Sequence, residues 1–401
     1  MAKSAANKLR NKIDAAYLVD EHVALERLVT QANLTPQDRV AIAEQGADLV
    51  RRIRAASNPG LMEVFLAEYG LSTDEGIALM CLAEALLRVP DADTIDALID
   101  DKIAPSNWGT HLGKSSSSLV NASTWALMFT GRVLDDDRGL AQPLRRAIKR
   151  LGEPVIRAAV GRAMRVMGQQ FVLGVDIDKA MKRAANMEAK EFTYSYDMLG
   201  EAARTEKDAK QYHLSYSRAI ASIADACTHD TVAENPGISV KLSALHPRYE
   251  EAQRDRVMAE LVPRLLSLAM LAKSAGQGFN VDAEEADRLS LSLDVIEAVV
   301  SDPALAGWDG FGVVVQAFGQ RAGYVIDWLG DLATRTNRKL MVSLVKGAYW
   351  DAEIKRAQVL GLEGFPVFTA KTHTDVSYIA NARKLLGLTD RLYPQFATHN
   401  A

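Results

Sequence analysis

Several residue types are scarce in this sequence, and each scarcity disfavours a class of protein. Only two cysteines, Cys81 and Cys227, occur among 401 residues, so a disulfide-stabilised secreted protein is disfavoured and a reducing cytoplasm is expected. The 47 Lys and Arg residues against 51 Asp and Glu residues give a net charge of −4. This balance leaves no excess of positive charge for nucleic acid, and we expect no nucleic-acid partner.

Long apolar runs are also missing. The longest apolar-rich stretch, residues 261–272, is interrupted by Pro263 and Arg264 and is far shorter than the ~20 residues that a membrane-spanning helix needs. The first residues are basic without an apolar segment behind them, so a secretory signal is not expected. What the sequence does contain, from Asp14 to about Gly174, is apolar residues at helical spacing, which predicts an all-α first half.

After Met187 the pattern changes to short β-rich runs separated by helical stretches. The predicted strands are Phe192–Tyr196, Gly237–Leu242, Gly278–Asp282, Gly312–Ala317, Leu340–Val345, Pro366–Thr369 and Tyr393–Thr398. Alternating strands and helices predict an α/β fold with a parallel sheet that is buried on both faces. A (β/α)8 TIM-type barrel fits this repeat. An open doubly wound sheet is the alternative, although no G-x-G-x-x-G sequence follows the first strand.

Polar residues are concentrated where the predicted strands end. In a barrel such positions carry the chemistry, although a network of ion pairs would also occupy them. The residues are Asp197, Glu201, Lys241, Asp282, Glu284, Glu285, Gln316, Lys346, Lys371, Thr398 and His399. The sixth and seventh strands are expected to carry Lys371 and Thr398, respectively. Thr374 and Asp375 are expected to cap the helix that follows the sixth strand, and Gly387 to end it.

The residue types narrow the chemistry without deciding it. No paired Cys or His spacing typical of a metal site is present, and no Gly-x-Ser-x-Gly sequence indicates a serine nucleophile. Lys241 and Lys346 could form a Schiff base with a carbonyl substrate. Alternatively they could hold anions and, together with the aromatic pair Tyr349 and Trp350, suit a phosphate-bearing planar cofactor and a carboxylate substrate.

Five sequence motifs, in the same order, resemble the proline dehydrogenase part of bacterial proline utilisation A. They are YSYDMLGEA from Tyr194, ISVKLSALHPRY from Ile238, DAEEADR from Asp282, LVKGAYWD from Leu344 and QFATHN from Gln395. The resemblance implies a helical, dimerising arm over residues 1–85 and an α-domain over 86–185. It also implies a proline dehydrogenase (β/α)8 barrel over 186–401 that lacks its last strand and helix. Neither the family's DNA-binding segment nor its aldehyde dehydrogenase half is expected.

The resemblance also implies a reaction. An FAD enzyme of this kind oxidises L-proline to Δ1-pyrroline-5-carboxylate and passes the electrons to a quinone. The protein would then be a cytoplasmic homo-oligomer that contacts the surface of the inner membrane transiently. A lysine-dependent lyase on the same barrel and a non-catalytic interaction module remain the competing functions.

By matching motif, the resemblance assigns roles to individual residues. Lys241 would pair with the substrate carboxylate, Asp282 would orient that lysine, and Tyr349 would form a wall of the proline pocket. Glu201 would gate the pocket by pairing with an arginine. The cofactor would be held by Gln316, Val345, Lys346, Gly347, Trp350, Thr369, Ala370, Lys371, Thr398 and His399.

Two departures from the family pattern stand out. Ser343 occupies a position where relatives carry an arginine. The eighth strand and the last helix, which brings paired arginines to the proline carboxylate, would lie beyond Ala401. We therefore expect this chain alone to bind proline weakly.

Overall fold

The computed structural model describes residues 2–55 and 172–398. Residues 1–47 and 184–401 form one compact unit, and residues 48–183 form another. The predicted domain boundaries at residues 85 and 185 stay predictions, and most of the predicted α-domain lies outside the described residues, as do Cys81 and His399. Cys227 is a free thiol.

Three helices form the described N-terminal part: α1 (Ala2–Ala15), α2 (Glu21–Ala32) and α3 (Pro36–Ala55). The carboxylate of Asp20 accepts hydrogen bonds from the backbone N–H groups of His22 and Val23, which satisfies donors that a helix start leaves free. At the other end of α2, Asn33 adopts the left-handed conformation with φ 45°, as a helix terminator does. The helical prediction is confirmed for these residues.

The second half alternates strands and helices. In chain order the elements are α4 (Ile177–Glu188), β1 (Ser195–Asp197), α5 (Glu206–Ala224), β2 (Gly237–Val240), α6 (Leu242–Leu245), α7 (Arg254–Ser274), β3 (Gly278–Val281), α8 (Leu289–Val300), β4 (Phe311–Gln316), α9 (Ala322–Arg335), β5 (Leu340–Val345), α10 (Trp350–Leu360), α11 (Lys371–Leu386) and β6 (Leu392–Phe396). All neighbouring strands pair in parallel, in the order β1-β2-β3-β4-β5-β6. The α/β fold with a parallel sheet is confirmed.

The structure corrects the strand count. Seven strands were expected from the pattern, but within residues 2–55 and 172–398 the sheet has six, because the stretch 366–369 does not join it. Val367 instead forms an isolated antiparallel bridge with Gly319, and the Phe368 N–H donates to the carbonyl of Phe318 at 2.8 Å. Pro366 has no N–H to donate to a parallel neighbour, which disfavours a strand at this place. Among the described residues the sheet is not closed, and β1 and β6 are its edges.

The start of α11 also differs from the prediction. Lys371, expected on a strand, is the first residue of this helix, and Ala370 precedes it as the N-cap. The predicted cap at Thr374 and Asp375 is therefore wrong, because both residues lie inside the helix. The predicted end is confirmed, since Gly387 is the C-cap.

The core lies between the sheet and the helices that cover it. On α7, Leu261, Leu265 and Leu268 have no exposed surface, and their spacing puts them on one helix face. Beneath them the rings of Phe279 on β3 and Phe311 on β4 lie 5.9 Å apart. None of the described helices is long and apolar enough to cross a membrane.

The packing of α7 leads to a matched pair of substitutions. Leu268→Ala should lower the free energy of unfolding by about 2–5 kcal/mol, because it removes methyl groups from a filled core and leaves a cavity. Leu271→Ala, on the same helix but with Leu271 44% exposed, should cost well under half of that. Urea denaturation of both variants measures the difference, and equal losses would contradict the assigned helix face.

Candidate active site

A cleft of about 920 Å³ lies along one face of the sheet and extends to the residues at the carboxyl ends of the strands. Alternate residues of β1 to β5 line it, as the two-residue repeat of a β-strand requires. The lining includes Asp197, Lys241, Asp282, Gln316, Ser343, Val345, Lys346, Gly347, Tyr349 and Lys371. Most of the predicted site residues therefore share one cavity.

Lys241 is the central charged group at this end of the sheet. Its Nζ donates to both carboxylate oxygens of Asp197 at 3.1 Å and to Oδ2 of Asp282 at 3.0 Å. The side chains of Lys241 and Asp282 are only 16% and 19% exposed, whereas that of Asp197 is 48% exposed. One ammonium group is thus held between two carboxylates that come from the neighbouring strands β1 and β3.

The environment of Lys241 favours its charged form. Burial on its own lowers the pKa of Lys241, but the negative charges of Asp282 and Asp197 outweigh it and raise that pKa above the ordinary lysine value. Burial raises the pKa of Asp282, and the Lys241 charge opposes this only in part. The pair at 3.0 Å nevertheless has the geometry of an ammonium and an ionised carboxylate.

Glu201 and Tyr349 approach each other across the cleft mouth. The Tyr349 hydroxyl donates to Oε2 of Glu201 at 3.2 Å. Burial, followed by the Glu201 charge, raises the pKa of the Tyr349 hydroxyl well above its usual value, so this tyrosine stays a donor at neutral pH. The contact joins the loop after β1 to the loop after β5.

A chain of hydrogen bonds connects the loops between these two. The Ala202 N–H donates to Oγ of Ser243 at 3.0 Å, and the Ser243 N–H donates to Oε1 of Glu284 at 3.0 Å. Gln316 then donates from Nε2 to the carbonyl of Glu284 at 2.9 Å, and its Oε1 lies 3.5 Å from the Ala348 nitrogen. The loops after β1, β2, β3 and β5 and the end of β4 are therefore linked side by side. Burial raises the pKa of the Glu284 carboxyl.

The loop that follows β3 is also held from behind. The N–H of Ala286 donates to Oε1 of Glu353 at 2.6 Å, and its carbonyl accepts a hydrogen bond from Arg321. Both partners are buried, with 4% of Glu353 and 6% of Arg321 exposed. The backbone N–H and carbonyl of Ala286 are therefore both satisfied, which holds this part of the loop in one conformation.

Two further lysines share one carboxylate at the β5 side of the cleft. Lys346 Nζ lies 2.6 Å from Oδ1 of Asp375, and Lys371 Nζ lies 3.1 Å from Oδ2. The hydrogen bond from Lys346 is the largest influence that lowers the pKa of Asp375. With two cations and one anion, this group carries an excess of positive charge next to the N-terminus of α11, a combination that favours anions.

The remaining predicted cofactor residues that the structure describes do not line the cleft, although they lie close in sequence to elements that do. Trp350 begins α10, and its Nε1 donates to the carbonyl of Phe368 at 2.8 Å. Thr369 and Ala370 directly precede α11, and Thr398 lies beyond the end of β6. Of the ten predicted cofactor residues, His399 alone lies outside the described residues.

Sequence reasoning missed several groups that the structure places around the site. Asp375 was assigned to a helix cap, whereas it binds Lys346. Glu353, Arg321 and Glu21 were not singled out at all, although each contacts a backbone or side chain next to the cleft. Their long-range partners lie 35 to 348 residues away in sequence, so no local pattern identified them. Among the described residues no cluster of His, Cys, Asp and Glu could hold a metal ion.

Comparison with known proteins agrees with the geometry. A family model described as "Proline dehydrogenase" matches residues 180–401, and one described as "Proline utilization A proline dehydrogenase N-terminal domain" matches residues 7–54. A third, described as "DNA-binding domain of Proline dehydrogenase", matches residues 61–171. This match runs against the expectation that the family's DNA-binding segment is absent. The absence of a nucleic-acid partner itself stays a prediction.

Curated relatives and solved structures match almost the whole chain. Bifunctional protein PutA of Salmonella typhimurium (strain LT2) is 53% identical over 398 residues, which cover 98% of this chain and 30% of that protein. The PutA of Rhizobium meliloti is 52% identical over 396 residues, which cover 98% of this chain and 32% of that protein. The crystal structure of a Bradyrhizobium japonicum PutA variant superposes with a TM-score of 0.70 at 50% identity, covering 96% of this chain and 39% of that one.

Fold and site define an α/β protein with a lysine and carboxylate cluster at the carboxyl end of a parallel sheet. Together with these matches, they show that the chain belongs to the proline dehydrogenase family, in the form found in PutA. The chain spans about 30% of the length of the first curated relative it matches.

The charge balance around Lys241 can be tested directly. Asp282→Asn should lower the pKa of Lys241, because the charge of Asp282 raises that pKa more than the charge of Asp197 does. More of the amine is then neutral and reactive near pH 9. Acetylation of Lys241, followed by mass spectrometry, should therefore be faster in the variant. Asp375→Asn is the control, since Asp375 binds Lys346 and Lys371 instead. Equal Lys241 rates in all three proteins would contradict the assignment.

Proposed function

We propose that this chain is an FAD-dependent proline dehydrogenase that oxidises L-proline to Δ1-pyrroline-5-carboxylate and passes the electrons to a quinone. The observation that carries the proposal is the position of Lys241, charged and largely buried, in a cleft that also contains a separate cationic group. Family membership supports the reaction, and the geometry supports the division of the cleft into a substrate end and a cofactor end.

At the substrate end, Lys241 is the group that would bind the proline carboxylate, and Asp282 orients it. The two carboxylates on Lys241 exceed its single positive charge, and Glu201 adds a further negative group. The carboxylate of proline therefore needs cations beyond Lys241, in agreement with the paired arginines that the family resemblance implies. Tyr349 would form one wall of the pocket, and its bond to Glu201 would be exchanged when Glu201 pairs with an arginine.

At the cofactor end, the described residues fit a phosphate-bearing planar group. Lys346 and Lys371 supply positive charge beside the first turn of a 16-residue helix, where backbone N–H groups lack intrahelical partners. Gly347 has φ 130°, and a Cβ there would lie 2.5 Å from the ring of Phe318. A side chain is thus excluded at the point where backbone and cofactor would approach.

Bound FAD would accept a hydride from the proline ring carbon next to nitrogen. The residues that would hold it are Gln316, Val345, Lys346, Gly347, Trp350, Thr369, Ala370, Lys371, Thr398 and His399. Lys241 and Tyr349 would hold the substrate ring against it, and such positioning is the protein's main contribution to a hydride transfer.

The proposal extends to the architecture and setting of the protein. The six parallel strands would belong to a (β/α)8 barrel, since consecutive strands are neighbours throughout. A cytoplasmic homo-oligomer that touches the inner-membrane surface, where quinones dissolve, would suit such an electron transfer.

The competing Schiff-base lyase is disfavoured by the state of Lys241. A lysine nucleophile has to be neutral, whereas the carboxylates around Lys241 raise its pKa. Borohydride added with a carbonyl substrate should leave the mass of the chain unchanged. A stable adduct on Lys241 or Lys346 would favour the lyase.

Two lysine substitutions should separate the ends of the cleft. Lys346→Met should weaken FAD binding by roughly 10–150-fold, the equivalent of a charge-assisted contact of ~1.5–3 kcal/mol. Lys241→Met should leave FAD affinity near that of the unaltered chain but abolish bleaching of the flavin absorbance by anaerobic proline. Equilibrium dialysis and visible spectra measure both, and each variant is the control for the other. Unaltered chain that binds no FAD would contradict the proposed function.

Ser343 offers a test of how the site tunes the cofactor. Ser343 lines the cleft on β5, between Val314 and Gln395 in register. Ser343→Arg would introduce a cation, which stabilises the negative charge that reduction brings. We expect the reduction potential of the bound flavin to rise. Ser343→Gln, which is longer than serine but uncharged, is the control and should not raise it. An unchanged potential in the arginine variant, at equal flavin content, would contradict the expectation.

A further inference from the structure

The N-terminal helix α2 reaches the predicted cofactor end of the cleft through one carboxylate. Oε1 of Glu21, the first residue of α2, accepts a hydrogen bond from the Thr369 N–H at 2.9 Å. Oε2 of Glu21 accepts one from the Thr369 hydroxyl at 2.7 Å. His373 Nδ1 lies 2.5 Å from Oε1. Three groups at the start of α11 thus meet one side chain that lies 348 residues away in sequence from Thr369.

Glu21 is held as an anion at this place. Burial alone raises the pKa of Glu21, but the hydrogen bonds from His373 and Thr369 outweigh it and lower that pKa below the usual glutamate value. The carboxylate is 23% exposed, so it forms these bonds in a partly desolvated position, where charge-assisted hydrogen bonds are strongest.

The helix that carries Glu21 is firmly docked. Ala24, Leu28 and Ala32 of α2 form a buried cluster with Phe368 and Ala380, on either side of the start of α11. Further along α2, the Gln31 side chain donates to the carbonyl of Ala380 at 3.1 Å. Because α2 packs against residues before and within α11, Glu21 has a fixed position relative to Thr369.

The contacts of Glu21 leave the helix start itself accessible. Glu21 binds the N–H of Thr369, which precedes α11, and the side chain of His373. The first backbone N–H groups of a helix have no intrahelical acceptors. Glu21 therefore holds the segment before α11 and does not occupy the position where an anion would bind at the helix N-terminus.

We propose that Glu21 is a positioning residue of the cofactor site, fixing Thr369 and the first turn of α11 so that the segment Thr369–Lys371 can bind the cofactor phosphate. This inference rests on the proposed function. It makes the N-terminal arm a part of the flavin site, although the arm would not touch the flavin itself.

The test is FAD affinity, measured by equilibrium dialysis. Glu21→Ala should weaken binding by about tenfold or more, the equivalent of losing ~1.4 kcal/mol. Glu21→Gln keeps an acceptor for the Thr369 N–H and should retain most of the affinity. Gln31→Ala, which removes a contact between α2 and α11 away from the segment, is the matched control and should bind FAD normally.

Two further measurements separate positioning from general destabilisation. Glu21→Ala and Thr369→Val should be partly non-additive in FAD affinity, because both remove the hydrogen bond between the Thr369 hydroxyl and Oε2 of Glu21. Urea denaturation without FAD should show Glu21→Ala and Gln31→Ala to be similarly stable. Circular dichroism of the bound flavin, at saturating FAD, should change in Glu21→Ala and return towards normal in Glu21→Gln.

The outcomes are distinct. If the unaltered chain binds FAD and Glu21→Ala binds it equally tightly, this inference is overturned, whereas the proposed function is not. Tighter binding by both Glu21 variants would also overturn it, because Glu21 would then act as a repelling charge. An unaltered chain that binds no FAD would overturn the proposed function, and this inference with it.

Discussion

The buried ammonium group of Lys241 is the constraint on which the site depends. Moving a charge out of water costs several kcal/mol unless partners replace the solvent, and here the partners come from both neighbouring strands. Val240 and Val281 are in register, so Lys241 and Asp282, which follow them, lie side by side. Asp197 pairs with Ser239, two residues before Lys241 and on the same face. The register of β1, β2 and β3 therefore determines how the three charged side chains are placed relative to one another.

Around this cluster, buried polar side chains form hydrogen bonds with the backbone of neighbouring loops and are not available to bind a substrate. The Glu284 side chain accepts a hydrogen bond from the N–H of Ser243, and the backbone carbonyl of Glu284 accepts one from the side chain of Gln316. Arg321 and Glu353 satisfy the two polar groups of Ala286. Unsatisfied backbone groups are costly inside a protein, so these side chains determine the conformations of loops that would otherwise be free to vary. Much of the charge near the cleft is thus structural, and only a few side chains remain for binding.

The sequence allowed some of this to be predicted, for physical reasons. Runs such as Gly312–Val315 read as strands because β-branched, apolar residues fit a buried parallel sheet. Lys241 and Asp282 could be placed together because the carboxyl ends of parallel strands meet at one edge. The stretch at Pro366 is also apolar and β-rich, but Pro366 is a local signal against a ladder strand, and the bridge of Val367 to Gly319 depends on a turn that is distant in sequence. Glu21 and the contact of Asp375 with Lys346 were missed because the partners lie 348 and 29 residues away in sequence.

The contacts of the N-terminal helices have a consequence for biosynthesis. Arg10 of α1 binds the carbonyl of Ser290 at a separation of 280 residues, and Glu21 binds Thr369 at a separation of 348 residues. At about 5–20 residues per second, a ribosome needs roughly 20–70 s to produce the second of these partners. During that interval Phe368 and Ala380, which pack against Leu28 of α2 in the described part of the fold, have not yet been made. The strands pair in sequential order and can assemble as they emerge, whereas the first helices made are among the last to dock.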